Sequence, residues 1–378
     1  MTATVVQNRR NPRGPVQNGR SPRGPVPNAL TSAQLPRFAE LYTLAGALAV
    51  SAAVLAMIGF SIVGWLVLSA VVYLVGLGIL STVVENRRKA TDRVIRGMVT
   101  IAFLLALIPL VSTLITVIVG GAPALTWDFI TKTGGSVFDP KTLKVTVVTG
   151  AWQAIVGTLI ITGIAALISI PIGIMAAIYL VEYAQPKQWM ARTVTFLVDV
   201  MTGIPSIVAG LFAFSLFTLI VGPKAFSGFS ASVALSVLMI PIVIRSTEEM
   251  LKLVSSELRE ASYALGVTKF ATIVRIVLPT AIAGIITGVM LAISRVIGET
   301  APIFIAASFT DNFNANPFNG PMQTLPVMAY SGYKFPSQDI ASSYQSAWGA
   351  ALLLVILVVI LNLVARIVAK VFAPKGLR

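Results

Sequence analysis

Three ionisable residues stand inside stretches that are otherwise apolar: Asp199, Arg295 and Glu299. Within lipid such a side chain costs about 2.5–3.5 kcal/mol on insertion scales, so it either lines a polar pathway or finds a partner. Arg295 and Glu299 are four residues apart. On one continuous helix they share a face, so a local ion pair competes with a role in holding an anion. Counted from Pro279 at 1.5 Å per residue, Arg295 lies about 24 Å along its helix. If the apolar residues 303–307 prolong that span, Arg295 falls near mid-membrane instead. Asp199 precedes Pro205 by six residues, and either faces the pathway or caps backbone freed by that proline. The chemistry on offer is brief electrostatic attraction for an anion. The chain has no histidine and no cysteine, which removes disulfides, thiol nucleophiles and imidazole-based metal or acid–base chemistry.

A second group of residues is spaced to transmit force. Residues 246–279 carry charge between two apolar runs, 225–244 and 276–294, that hold none. Ser246-Thr247-Glu248-Glu249 reads as a capping box that opens a helix reaching about Leu265, with Leu251, Leu253, Leu258 and Tyr263 as its apolar members. Gly266 is placed to close it in the left-handed conformation. Thr268 then caps a short second helix that reaches Ile276, and Pro279 reopens the chain at the next span.

Glu260-Ala261-Ser262, Gly266, Ile276 and Leu278-Pro279 fall in the register of the EAA loop of ABC-importer permeases; only Ser262, for alanine, departs. The segment therefore resembles that family's coupling loop, which docks into a groove on a cytoplasmic ATPase. The resemblance assigns Glu260, Ala261, Gly266, Ile276, Leu278 and Pro279 to ATPase coupling. Ser294 to Pro302, with its Arg-x3-Glu-Thr-Ala-Pro pattern, is similar to phosphate-importer permeases of the Pst type. Met201 to Val208 and Ile244 to Glu249 resemble the A-type subunit of those importers. The similarity covers about residues 145–370.

Composition bounds the rest. Hydrophobic residues make up 56% and charged residues 11%, against about a quarter charged in soluble domains. Residues 1–37 carry six arginines, six prolines and a duplicated Pro-Arg-Gly-Pro-Val run, with too little to bury for a fold of their own. This basic tail is read as a solvated cytoplasmic segment, not a nucleic-acid binder. The charge-free run 41–84 would reach about 66 Å as one helix, twice a bilayer core, so it is expected to fold as a hairpin turning near residues 59–65. Further spans are expected at 97–119, at 145–181 (one span bent by Pro171, with an interfacial lead-in), and at 193–221, broken by Gly203 to Ser206. Three more follow at 225–244, from 281, and at 346–365.

The expected fold is thus an all-α integral membrane protein of about eight transmembrane helices. A disordered tail (1–37) and an N-terminal hairpin with its basic loop (38–96) precede a six-helix permease domain (97–378), which holds the coupling loop 246–279. With the N-terminus inside, cytoplasmic segments hold 22 of the 28 lysines and arginines and external loops five, the bias expected of this orientation. Both termini are then cytoplasmic, in a bacterial inner membrane. The chain has no Gly-x4-Gly-Lys-Ser/Thr loop to cradle nucleotide phosphates, so no cofactor is expected here, and ATP and Mg would be bound by a separate ATPase. The resemblance implies a transport subunit and not an enzyme. Its partners would be a second permease, an ATPase dimer, an extracytoplasmic phosphate-binding protein and inorganic phosphate. The alternatives are a permease for another oxyanion, the C-type phosphate subunit, and a secondary transporter; inverted halves with matching broken helices, the mark of the last, are not evident.

Overall fold

The computed structural model describes residues 35–372 apart from 37, 140–143, 186–187, 224 and 338. Expectations for the Arg/Pro tail and the last residues lie outside these. By its internal contacts the chain forms two compact units, Met1–Val111 and Ser112–Arg378.

The first unit is built on a hairpin. Helix α1 (Ala39–Ile58) and helix α2 (Ile62–Val84) turn at Gly59, whose φ of 134° favours glycine. Ser61 caps α2 by accepting from the Gly64 amide, and the Trp65 indole donates to the Leu48 carbonyl at 3.0 Å. Helix α3 (Arg87–Gly121) begins within the basic stretch, ten residues earlier than expected, because charge marks the exit from lipid and does not stop a helix. Its Arg93 joins Glu85 at 3.0 Å and Glu40 at 2.9 Å. Burial opposes the Glu85 charge, but the Leu35 amide, Arg93 and Ser81 overcome it and hold the carboxyl below its ordinary value.

The second unit starts with the end of α3 and a short helix α4 (Trp127–Thr131). Strands β1 (Thr133–Asp139) and β2 (Lys144–Ala151) then pair antiparallel, a correction to the expected interfacial lead-in. The β-branched run Val145, Thr146, Val147, Val148 and Thr149 suits a pleated strand, and it was hidden by the apolar run it leads into. Helix α5 (Trp152–Ile178) carries Pro171 inside it and ends in a π-helical turn, Tyr179–Tyr183.

Helices α6 (Trp189–Gly203) and α7 (Ser206–Val221) are bent by 106° at the Gly203-Ile204-Pro205 break. Helix α8 (Gly228–Lys252) runs beside both. Phe217 of α7 meets Phe229 at the start of α8, and Asp199 of α6 pairs with Arg245 near its end. The bent pair therefore follows α8 over most of its length; counted as one broken crossing, it brings the seven long apolar helices to eight spans.

Helix α8 is the hub. Its Leu235, Met239 and Val243 are fully buried against Ile161 and Ala165 of α5, and against Ala292 and Val296 of helix α11 (Leu278–Val296). Close approach is set by small residues, as between helices in lipid. A Cβ on Gly173 would stand 2.6 Å from Val243, and one on Gly288 would stand 2.6 Å from Ser246. Helix α12 (Ala301–Ala307), helix α13 (Leu325–Lys334) and helix α14 (Ile340–Phe372) complete the unit.

Candidate functional site

The expected capping box at Ser246 is not a helix start. Helix α8 continues unbroken to Lys252, and the Ser246 hydroxyl donates to the Val243 carbonyl within it. Ser-x-x-Glu is equally at home in a helix interior, where a serine bonds back to the preceding turn. Leu251 belongs to this buried end of α8, whereas Leu253 is exposed. The segment expected to couple folds as helix α9 (Ser256–Ala264), a turn, and helix α10 (Lys269–Thr272).

Gly266 makes the turn with φ of 75°, and Thr268 caps α10 by accepting from the Ala271 amide. Ser262 is buried, and its hydroxyl lies 2.8 Å from that of Thr272, so the one departure from the EAA pattern ties the two limbs together. Glu260 and Ala261 are exposed, as are Leu258, Tyr263, Leu265 and Phe270. The element thus exposes an apolar patch among charged residues. Pro279 does not reopen the chain. A π-helical turn, Ile273–Val277, widens the helix just before it, so α10 runs through Ile276 and Leu278 into α11 without a gap. The wider turn absorbs the amide that proline lacks.

The charges in the spans are arranged differently from expectation. Asp199 is exposed on α6 and pairs across to Arg245 of α8. Arg245 also reaches Glu248 at 3.0 Å, and Glu248 reaches Lys252 at 2.7 Å. Asp199 therefore does not cap the Pro205 break. This ladder borders an open cleft of about 610 Å³ that Arg192 also lines.

Arg295 and Glu299 form no ion pair among the described residues. Helix α11 ends at Val296, and Ile297 to Thr300 turn before α12 begins at Ala301 with Pro302 in its first turn. The four-residue spacing thus spans a helix break, and the shared face it implied does not exist. Arg295 is exposed at the last turn of α11, where a cation suits the helix dipole. Glu299 is half-buried and its amide bonds to the Val296 carbonyl. Immediately before Arg295, Ser294 donates to the Asn362 side chain of α14 at 3.2 Å. Arg245 and Asn362 were missed in the sequence because the first was counted with the loop and the second carries no charge. An amide within the uncharged run 346–365 was the available signal.

The family described as "Binding-protein-dependent transport system inner membrane component" matches residues 169–377, from within α5 to beyond α14. This chain belongs to that family. The permease is 43% identical to the "Phosphate transport system permease protein PstA 1" of Mycobacterium tuberculosis over 270 residues, 71% of this chain and 85% of that protein. It is 43% identical to the "Phosphate transport system permease protein PstA" of Mycobacterium leprae over 273 residues, 72% of this chain and 86% of the other. Among solved structures it is similar to a bacterial ABC transporter involved in import of the acidic polysaccharide alginate. That likeness has 15% identity and a TM-score of 0.49, and covers 75% of this chain and 98% of the other.

Proposed function

We propose that the permease is the A-type membrane subunit of an ATP-driven importer of inorganic phosphate. The observation that carries the substrate is the 43% identity to phosphate transport permeases over most of both chains. The geometry supports the mechanism. The α9–Gly266–α10 element presents Glu260 and Ala261 on an exposed face and continues as one helical rod into α11. A push on Glu260 to Pro279 by a docked ATPase dimer is delivered to the helix that carries Arg295.

Arg295 is the group that meets phosphate. It forms no ion pair among the described residues, whereas Arg245 is already offset by two carboxylates. An uncompensated guanidinium in a span is costly, so its charge is met from outside this chain: by water in a pathway shared with a second permease, and in passing by the anion. Glu299, close in sequence and on the following turn, keeps the attraction weak enough for release, and Asp199 forms the charged end of the path with Arg245. An extracytoplasmic phosphate-binding protein delivers the substrate, ATP and Mg stay on the ATPase, and both termini are cytoplasmic. In the reconstituted complex, phosphate-loaded binding protein should stimulate ATP hydrolysis. Stimulation by sulfate-loaded protein, with none by phosphate-loaded protein, contradicts the phosphate reading.

A further inference from the structure

The π-helical turn Tyr179–Tyr183, which ends α5, touches both limbs of the coupling element. Glu182 in this turn accepts from Nε of Arg259 at 3.1 Å and from its Nη2 at 2.8 Å; Arg259 lies on α9. The Arg259 guanidinium also donates to the carbonyls of Val254 at 2.6 Å and Leu251 at 3.0 Å, where α8 ends. The Glu182 side chain is 5% exposed and that of Arg259 17%. Next to Glu182, the ring of Tyr183 lies 5.0 Å below the ammonium of Lys269, the first residue of α10. Thus α8, α9 and α10 are all fastened to one widened turn of α5.

We propose that this turn is the anchor through which the coupling element acts on α5, with Glu182 and Arg259 as its positioning residues. The planar guanidinium binds a carboxylate and two helix-end carbonyls at once, a geometry lysine cannot reproduce. A π turn carries one more residue than the α-helix around it, and such turns occur frequently at functional sites. Its clamp to α9 makes α5 move with the docked ATPase in the same stroke that the Ile273–Val277 turn delivers to α11. Without the clamp, α9 rocks on α8 and the stroke reaches α11 alone. The inference rests on the transport reading above but not on the identity of the anion.

The test uses the complete complex and reads substrate moved per ATP hydrolysed, which a merely stabilising ion pair does not change. Glu182→Gln should leave the ATPase copurifying and lower that ratio by at least about fivefold, the smaller end of typical coupling effects. Arg259→Lys should lower it too. Because the chain has no cysteine, Glu182→Cys with Arg259→Cys can be bridged by a short bifunctional thiol reagent. The pair should be uncoupled before bridging and coupled after it. An unchanged ratio in both single variants overturns the proposal, as does a bridged pair that stays uncoupled. If Glu182→Gln fails to assemble, Arg259→Lys and the bridged pair decide by the same ratio. If the unchanged complex hydrolyses ATP without moving phosphate, only the phosphate reading fails. Stimulation of hydrolysis by loaded binding protein then serves as the coupling readout for the same variants.

Discussion

At the scale of single residues, Gly266 and Arg295 bear the sharpest consequences. Gly266 has φ of 75° and open space around its missing Cβ, so a side chain there is opposed by backbone conformation alone. A left-handed residue costs about 1–2 kcal/mol for ordinary side chains and less for asparagine. Uptake should therefore fall in the order Gly, Asn, Ala, Val, with Gly266→Val losing transport while the protein still inserts. Full uptake by Gly266→Val removes this turn from the coupling path. Arg295→Gln should abolish phosphate uptake and leave the complex assembled, because Arg295 pairs with no carboxylate among the described residues. Loss of assembly would show that Arg295 holds the fold. The sequence identified Arg295 as an isolated charge, yet misjudged its relation to Glu299. Spacing reports a shared face only while the helix persists, and Gly298 with the Ala301-Pro302 start of α12 ends it.

At the scale of elements, helices were legible wherever an apolar run had to cross lipid, and their ends were less so. The change from apolar to charged residues at Arg245 marks the membrane boundary, but α8 runs on for seven residues past it. Gly59 and Gly266 were legible because glycine alone suits their backbone, whereas the π turns leave no mark in residue type. Close packing was also hidden. A Cβ on Gly210 of α7 would stand 2.6 Å from the Pro302 Cα of α12, backbone that cannot swing aside. Gly210→Ala should push α7 off α12 at a cost of about 1–3 kcal/mol, seen as a lower melting temperature of the purified complex. Gly203→Ala, where no atom lies within 4 Å, should leave that temperature unchanged. In the first unit, Glu85 ionises at lower pH than it does unfolded. Its contribution is present above the unfolded value and is lost as pH falls through the lower folded one. Glu85→Gln should abolish that part of the acid dependence in thermal unfolding.

At the scale of the whole molecule, eight crossings and the bias of basic residues predict that both ends lie on one side of the membrane. An enzyme reporter active only outside the cytoplasm should be silent when fused at residue 378 and active near Asn316. Activity at the C-terminus would mean that the α6–α7 pair turns back without crossing. Composition and charge made this architecture readable because lipid constrains span length more tightly than any soluble core constrains its helices. The direction of force was not readable, since it depends on Arg259 and Glu182, which are 77 residues apart and meet only in the folded chain. The central claim is that ATP hydrolysis on a partner drives phosphate through a path this permease helps to line. ATP-dependent uptake of labelled phosphate by proteoliposomes bearing the complete complex measures it directly. Uptake should require ATP and binding protein, persist in excess unlabelled sulfate and vanish in Arg295→Gln. Uptake that survives Arg295→Gln, or labelled sulfate moving in place of phosphate, contradicts the account.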